Sequence, residues 1–215
     1  MSTAVPDRHR TGGKLGRQTE AERNDQLVLA AARAVFAEQG NDAPVSAIAE
    51  RAGVGMGTLY RRYGSKEQLL QRLCLIAIGD TAEALRAALD LDGSGWKGLF
   101  TFLERCVAAR VGAFAPLAGS LPIPPEVVAG NARAKELLEQ LLAKGQADGS
   151  VRTDVYAVDI TRLIEMFSGY PQRTEEDVRA RQRLLALAAD GLRPSGTSIA
   201  GPAPTWEAYE SQWYR

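Results

Sequence analysis

Ile48-Ala49-Glu50-Arg51-Ala52-Gly53-Val54-Gly55-Met56-Gly57-Thr58-Leu59-Tyr60-Arg61-Arg62-Tyr63-Gly64-Ser65-Lys66 reads as a short helix, a tight turn, a second short helix and the start of a third. Ile48, Ala49 and Ala52 fall at i, i+1 and i+4 and give the first helix one small apolar face. Gly53 is the residue able to take positive φ at the corner, and Val54 tucks into the angle between the helices. Leu59 and Tyr63 recur at i, i+4 on the second helix, so Tyr60, Arg61 and Arg62 must point elsewhere. A helix this short gains little from its own hydrogen bonding. Its outward face of tyrosine and arginine suits a partner with phosphates and base edges.

The following segment, Ser65-Lys66-Glu67-Gln68, has the form of a capping box, with Ser65 as N-cap and Gln68 at N3. Lys66 therefore lies in a first helical turn, where the macrodipole disfavours a cation. An anion shared with the helix N-terminus would reverse that. A lone lysine is ordinarily a solvated surface group. Beside Tyr60, Arg62 and a helix-turn-helix, Lys66 becomes a candidate phosphate ligand.

These residues resemble the DNA-binding signature of TetR/AcrR-type transcriptional regulators: Ile-Ala, then Ala-Gly-Val, then Thr-Leu-Tyr, an aromatic residue and a lysine. Upstream, Val28-Leu29-Ala30-Ala31-Ala32-Arg33-Ala34-Val35-Phe36 followed by Gly40 resembles the family's first helix. The resemblance is close over residues 23–73, and beyond them only helix lengths and order agree. It implies that the helix over 56–62 enters a major groove, with Met56, Gly57 and Thr58 approaching bases and Tyr60 and Lys66 holding phosphates. It also implies a C-terminal helical pocket for a small-molecule effector and a homodimer formed through the last two long helices. The protein would then be a repressor released from a palindromic operator by that effector. Arg61 and Arg62 are this chain's own additions, and at least one is expected to reach a guanine edge or a phosphate. Gly55 and Gly57 suggest close backbone approach at some cost in helix propensity. Where the family usually places Thr or Ser ahead of Ile48, this chain has Pro44, which suits a first turn but has no hydroxyl. Asp42 could take over the cap and Ser46 the phosphate contact.

At 215 residues the chain can form one compact body or two small ones, and 45% apolar with 24% charged residues is an ordinary globular composition. No apolar run approaches membrane-spanning length and the N-terminus lacks a signal-peptide core, so a cytoplasmic protein with no membrane partner is expected. Cys74 and Cys106 both sit in apolar helical patterns and read as buried thiols. With His9 the sole histidine, no metal set is expected, and no cofactor. Residues 1–72 carry 11 Lys and Arg against 8 Asp and Glu, and the remainder 15 against 18, so the N-terminal third is net basic. The basic residues concentrate at Arg8–Arg17 and Arg61–Lys66, where a minor-groove arm and a recognition helix would use them.

The fold class expected is all-α: a three-helix helix-turn-helix domain joined by a long helix to a C-terminal helical effector-binding and dimerisation domain. Residues 1–18 form a flexible basic arm, 19–66 the DNA-binding domain, 67–192 the second domain, and 193–215 a linker and aromatic tail. Thr19-Glu20-Ala21-Glu22 is a second capping box and opens the first helix, which stops at Gly40. Helices follow at 45–52, 56–62 and from Lys66 to Leu89. An apolar helical stripe then runs from Trp96 to Phe114, ahead of prolines 116, 122, 124 and 125. Further helices cover 126–147, a segment capped by Asp154 and ending near Tyr170, and one from Thr174 to Gly191. Two tryptophans, Trp206 and Trp213, favour a docked tail over a loose one.

Within the second domain, Trp96, Phe100, Cys106, Arg110, Phe114, Met166, Phe167 and Tyr170 are candidate pocket residues, although aromatics at helical spacing more often simply pack. Arg110 falls on or beside the apolar stripe and needs an acid, either Glu165 or a ligand carboxylate. The enzyme reading is weak. Gly53-x-Gly55-x-Gly57 lacks the third glycine of a dinucleotide fingerprint, follows a helix rather than a strand, and sits in no βαβ unit. An architectural DNA binder without an effector is the nearer rival. A cavity among the 95–192 helices would discriminate against it.

Overall fold

The computed structural model describes residues 12–40, 42–119 and 122–211, with side chains described outside 12–21 and 116–119. Among the described residues every regular element is helical: α1 (Gly12–Gln39), α2 (Val45–Ala52), α3 (Met56–Tyr63), α4 (Lys66–Leu89), α5 (Gly95–Ala108), a 3-10 segment (Val111–Gly119), α6 (Pro125–Ala147), α7 (Ala157–Ser168), α8 (Glu175–Asp190) and α9 (Trp206–Glu210). No described helix is long and apolar enough to cross a membrane.

Local chemistry accounts for most boundaries. Ser65 Oγ accepts from the Gln68 amide at 3.2 Å and starts α4. Thr174 and Asp177 exchange bonds reciprocally at the start of α8, with Thr174 Oγ1 accepting from Asp177 N at 3.1 Å and Asp177 Oδ2 from Thr174 N at 3.0 Å. Gly53 takes φ +67° and lets the Val54 amide reach back to the Ala49 carbonyl at 3.0 Å, which closes α2.

Four expectations are corrected. Helix α1 begins at Gly12, so residues 12–18 continue the helix rather than forming a loose arm, and Thr19 lies inside it. Lys14, Leu15, Arg17 and Gln18 are good helix formers, and extending an existing helix needs no new nucleus. Arg8 and Arg10 lie outside the described residues, as do Trp213 and Tyr214. The stripe from Trp96 to Phe114 is not one helix: α5 ends at Ala108 and Arg110 takes φ +53°. Pro116 cannot follow an α-helical turn at Gly112, and a 3-10 segment takes over. Asp154 does not cap α7, whose N-cap is Tyr156. Asp154 instead grips the Arg152 fork at 2.5 and 2.9 Å, a stronger partner than a single amide. Finally, among the described residues α2 has no side-chain cap, from Asp42 or any other.

Two principal cores result. Val28, Leu29, Ala32, Val35 and Phe36 of α1 pack on Ile48, Leu59, Leu69, Leu70 and Leu73, and Phe114 of the 3-10 segment reaches into the same cluster. The second core joins Leu85, Leu99, Phe102, Leu103, Leu141 and Ile160. Helix α8 is held more lightly, with Leu185 beside Val107 and Phe167 and the Arg181 guanidinium on the Val107 carbonyl at 3.1 Å.

Candidate nucleic-acid interface and effector cavity

Helix α3 buries Leu59 and Tyr63 and leaves Gly57, Thr58, Tyr60, Arg61 and Arg62 exposed, as the i, i+4 spacing requires. Met56, expected to approach bases, packs half-buried against the head core. Gly55 is the N-cap of α3, with extended φ and ψ. Ser46 is exposed in the first turn of α2. Its N-cap Pro44 supplies only a carbonyl to Ala47 N at 3.0 Å, so no side chain among the described residues caps the amides of that turn. Lys66 is half-buried in the first turn of α4.

Arg62 behaves differently from Arg61. Its Nε donates to Asp25 Oδ1 at 2.9 Å, and the guanidinium lies 5.6 Å from the Tyr63 ring centroid. Asp25 is buried in α1, also accepts from the Tyr63 hydroxyl, and has Arg72 at 3.9 Å. Burial and the Asp25 carboxylate push the Tyr63 phenol up to about 12. This network ties α1 to α3 and α4. It was not visible in the sequence, because Asp25 lies 37 residues before Arg62 and no local spacing joins them.

A cavity of about 560 Å³ opens among α4, α5, α6, α7 and the 3-10 segment, within the roughly 300–1,000 Å³ of small-molecule sites. Its wall is mainly apolar, with Ile78, Leu85, Phe102, Val127 and Leu138 prominent. Of the pocket residues expected from the sequence, Cys106 and Phe114 line it and the other six do not. Phe102 takes the place expected of Phe100, which lies about 200° round the helix from it. Phe100 is half-buried and stacks on Trp96 at 5.5 Å. Met166 is exposed, Phe167 packs beside Val107 and Leu185, and Tyr170 contributes its carbonyl to Arg110 at 3.1 Å. Both cysteines are free and line the cavity, and burial pushes the thiols up to about 11 for Cys74 and about 12 for Cys106.

The acid beside Arg110 is Glu38 of α1, at 3.8 Å, rather than Glu165. Arg110 also donates through Nε to the Ser168 carbonyl at 3.3 Å, so the chain reversal at Ala109 turns the guanidinium toward the end of α7. Glu38 in turn binds Arg51 of α2 at 2.5 Å. Glu165 faces the cavity, accepts a hydrogen bond from the Tyr209 hydroxyl of α9, and is held above the usual carboxylate range by burial.

Comparison with known proteins agrees with this geometry. Residues 28–73 match the family described as bacterial regulatory proteins, tetR family, and residues 96–194 match the SbtR-like transcriptional regulator C-terminal domain. The TetR transcription regulatory protein from Mycobacterium vanbaalenii is 30% identical, over 82% of this chain and 99% of that one, with a TM-score of 0.55. A TetR transcriptional regulator from Streptomyces coelicolor is 27% identical, over 80% and 99%, with a TM-score of 0.55. The ketosteroid transcriptional regulator of Mycobacterium tuberculosis shares the fold at 23% identity, over 80% and 96%, with a TM-score of 0.56. No curated protein matches the sequence. The helix-turn-helix head, the helical second domain and these matches together make the chain a member of the TetR family of DNA-binding transcriptional regulators.

Proposed function

We propose that this regulator is a cytoplasmic homodimeric repressor, released from a two-fold symmetric operator by a small molecule bound in the cavity. The observation that carries the reading is that α4 belongs to both halves. Its first turns start at Lys66 and pack Leu69, Leu70 and Leu73 into the head, while Cys74, Ile78, Thr81 and Leu85 farther along line the cavity. A ligand that shifts this helix changes the orientation of the head.

In this reading Gly57, Thr58 and Arg61 meet base edges, with Met56 contributing its exposed part. Tyr60, Lys66 and Ser46 hold phosphates. The amides of the uncapped first turn of α2 add a further phosphate site. Arg62, held by Asp25, sets the angle of α3 against α1 rather than reading bases. The cavity speaks against an architectural binder with no effector.

The test is selection of binding sites from random duplex DNA, with a Tyr60→Ala, Lys66→Ala variant in parallel. A two-fold symmetric motif that the variant fails to enrich is the expected outcome. In the recovered site, Lys66→Ala should reduce the slope of log affinity against log salt by about one. Thr58 or Arg61 substitutions should change base preference by roughly 1–3 kcal/mol per lost contact. An unaltered preference in both would remove α3 as the reading helix.

A further inference from the structure

Helix α9 lies beyond residue 194, where the family match ends, yet Trp206, Tyr209 and Glu210 are part of the cavity wall. Its attachment is specific. Thr205 caps it, accepting from Ala208 N at 3.2 Å. The Trp206 indole N–H donates to Glu139 of α6 at 2.9 Å, and the Lys135 ammonium sits 4.8 Å from the Trp206 ring centroid while pairing with Glu210. On the other side the Tyr209 hydroxyl donates to Glu165 of α7, and the Arg162 guanidinium lies 5.4 Å from the Tyr209 ring centroid. The strap leading to α9 is pinned as well: Arg152 donates to the Thr197 carbonyl at 2.6 Å, and the Ile199 amide to Asp154 at 2.8 Å.

The polar groups in this wall have a definite chemistry. Among the described residues three charged side chains line the cavity, Lys135, Glu165 and Glu210, and Lys135 is engaged by Glu210. Glu165 also feels the Arg162 guanidinium of its own helix, but Arg162 is not part of the described cavity wall, and within that wall Glu165 has no ion pair. A carboxylate accepts about four hydrogen bonds, and Tyr209 supplies one to Glu165. An incoming donor is therefore favoured there, a cation most of all, and a second carboxylate is repelled.

We infer that α9 is an integral wall of the effector cavity and that the Glu165–Tyr209 pair makes the site select an apolar ligand with a hydrogen-bond-donating head, an amine ahead of a hydroxyl and either ahead of a carboxylate. This rests on the cavity being the effector site. Lodged in the apolar space between Phe102 and Val127, the ligand body would direct its head at Glu165 on α7, against the wall that α9 completes.

The test uses the full chain and the fluorescent apolar probe N-phenylnaphthylamine, displaced in turn by decylamine, decanol and decanoate, which share one tail and differ in the head. Decylamine and decanol should displace the probe at concentrations about tenfold or more below decanoate, the discrimination expected of a site built around a buried polar group. Glu165→Gln should keep probe binding and abolish the advantage of decylamine over decanoate. Trp206→Ala should weaken all ligands several-fold while circular dichroism shows unchanged helix content. Equal affinities for the three heads, or a preference for decanoate, would overturn the ligand class while leaving the cavity as the effector site. Unaltered affinities in Trp206→Ala would overturn the role of α9. Failure of the wild-type chain to bind the probe or any of the three would overturn this inference together with the effector-site reading.

Discussion

Asp25 carries no motif and sits in a polar stretch midway along α1, yet three cationic or phenolic groups converge on it. Its carboxylate is buried, accepts from Arg62 and from the Tyr63 hydroxyl, and has Arg72 at 3.9 Å. Arg62 and Arg72 keep 33% and 55% of their side-chain surface, so each can turn to water when the acid is lost. Tyr63 cannot. Asp25→Ala should therefore cost about 1–3 kcal/mol in urea denaturation, the range for an orphaned buried polar group, rather than the larger cost of a fully buried ion pair. The Tyr63 phenol gives a pH signature. Its neutral form is favoured in the folded state, so its contribution is complete below the ordinary value of 10.0 and is lost as pH rises through about 12. Over that window the wild-type chain should lose stability more steeply than Tyr63→Phe. Parallel pH profiles for the two would remove the Tyr63–Asp25 bond as a source of stability.

Among the elements, the two corners made by glycine separate backbone strain from crowding. At Gly53 a β-carbon would meet nothing within 4 Å, but φ is +67°. Gly53→Ala should cost about 1 kcal/mol through left-handed backbone alone, and Gly53→Asn clearly less, since asparagine tolerates that region. Equal melting temperatures for the alanine variant and wild type would mean that the corner relaxes. Gly112 shows the reverse. Its φ is ordinary, but a β-carbon would lie 2.6 Å from the Glu165 α-carbon. Gly112→Ala must lift the 3-10 segment off α7, and a loss of about 1–3 kcal/mol in chemical denaturation is expected, as for other overpacked sites. Probe binding in the cavity should weaken with it, because Val111 and Phe114 line the same space. The same contrast explains what the sequence could reveal. The limits of α2, α3 and α4 were legible because Gly53, Gly55 and Ser65 act through bonds within a few residues. The start of α1 was not, since an internal Thr19 looks the same as a capping one. The inward turn of Phe102, the pairing of Arg110 with Glu38 and the seat of α9 depend on partners far along the chain. Pro116 did carry a readable signal against an α-helical turn over 112–116, but not for the earlier break at Ala108.

At the scale of the whole molecule, α7 and α8 leave large apolar side chains among the described residues outside the protein's own packing. Leu184 and Leu187 of α8 remain 42% and 61% exposed, and Met166 of α7 is 59% exposed. Inward, α8 buries only Arg181, Leu185 and Ala189. A helix so lightly held by its own chain, with leucines turned outward, is suited to a symmetric four-helix contact, where both copies bury the same face. Each leucine fully covered would contribute about 1.5–3 kcal/mol. Two heads on one duplex also act by effective concentration, so dimerisation and operator affinity must fall together. Leu184→Glu combined with Leu187→Glu would place like charges face to face in such a dimer but on exposed positions in the monomer. Sedimentation should show monomers with unchanged helix content, and affinity for a symmetric operator should drop by on the order of 100-fold or more. Affinity for a half-site should stay the same, since a single α3 reads it. A chain that remains dimeric with both glutamates in place would put the two-fold contact elsewhere on the molecule, and would leave the exposed face of α8 without an assigned partner.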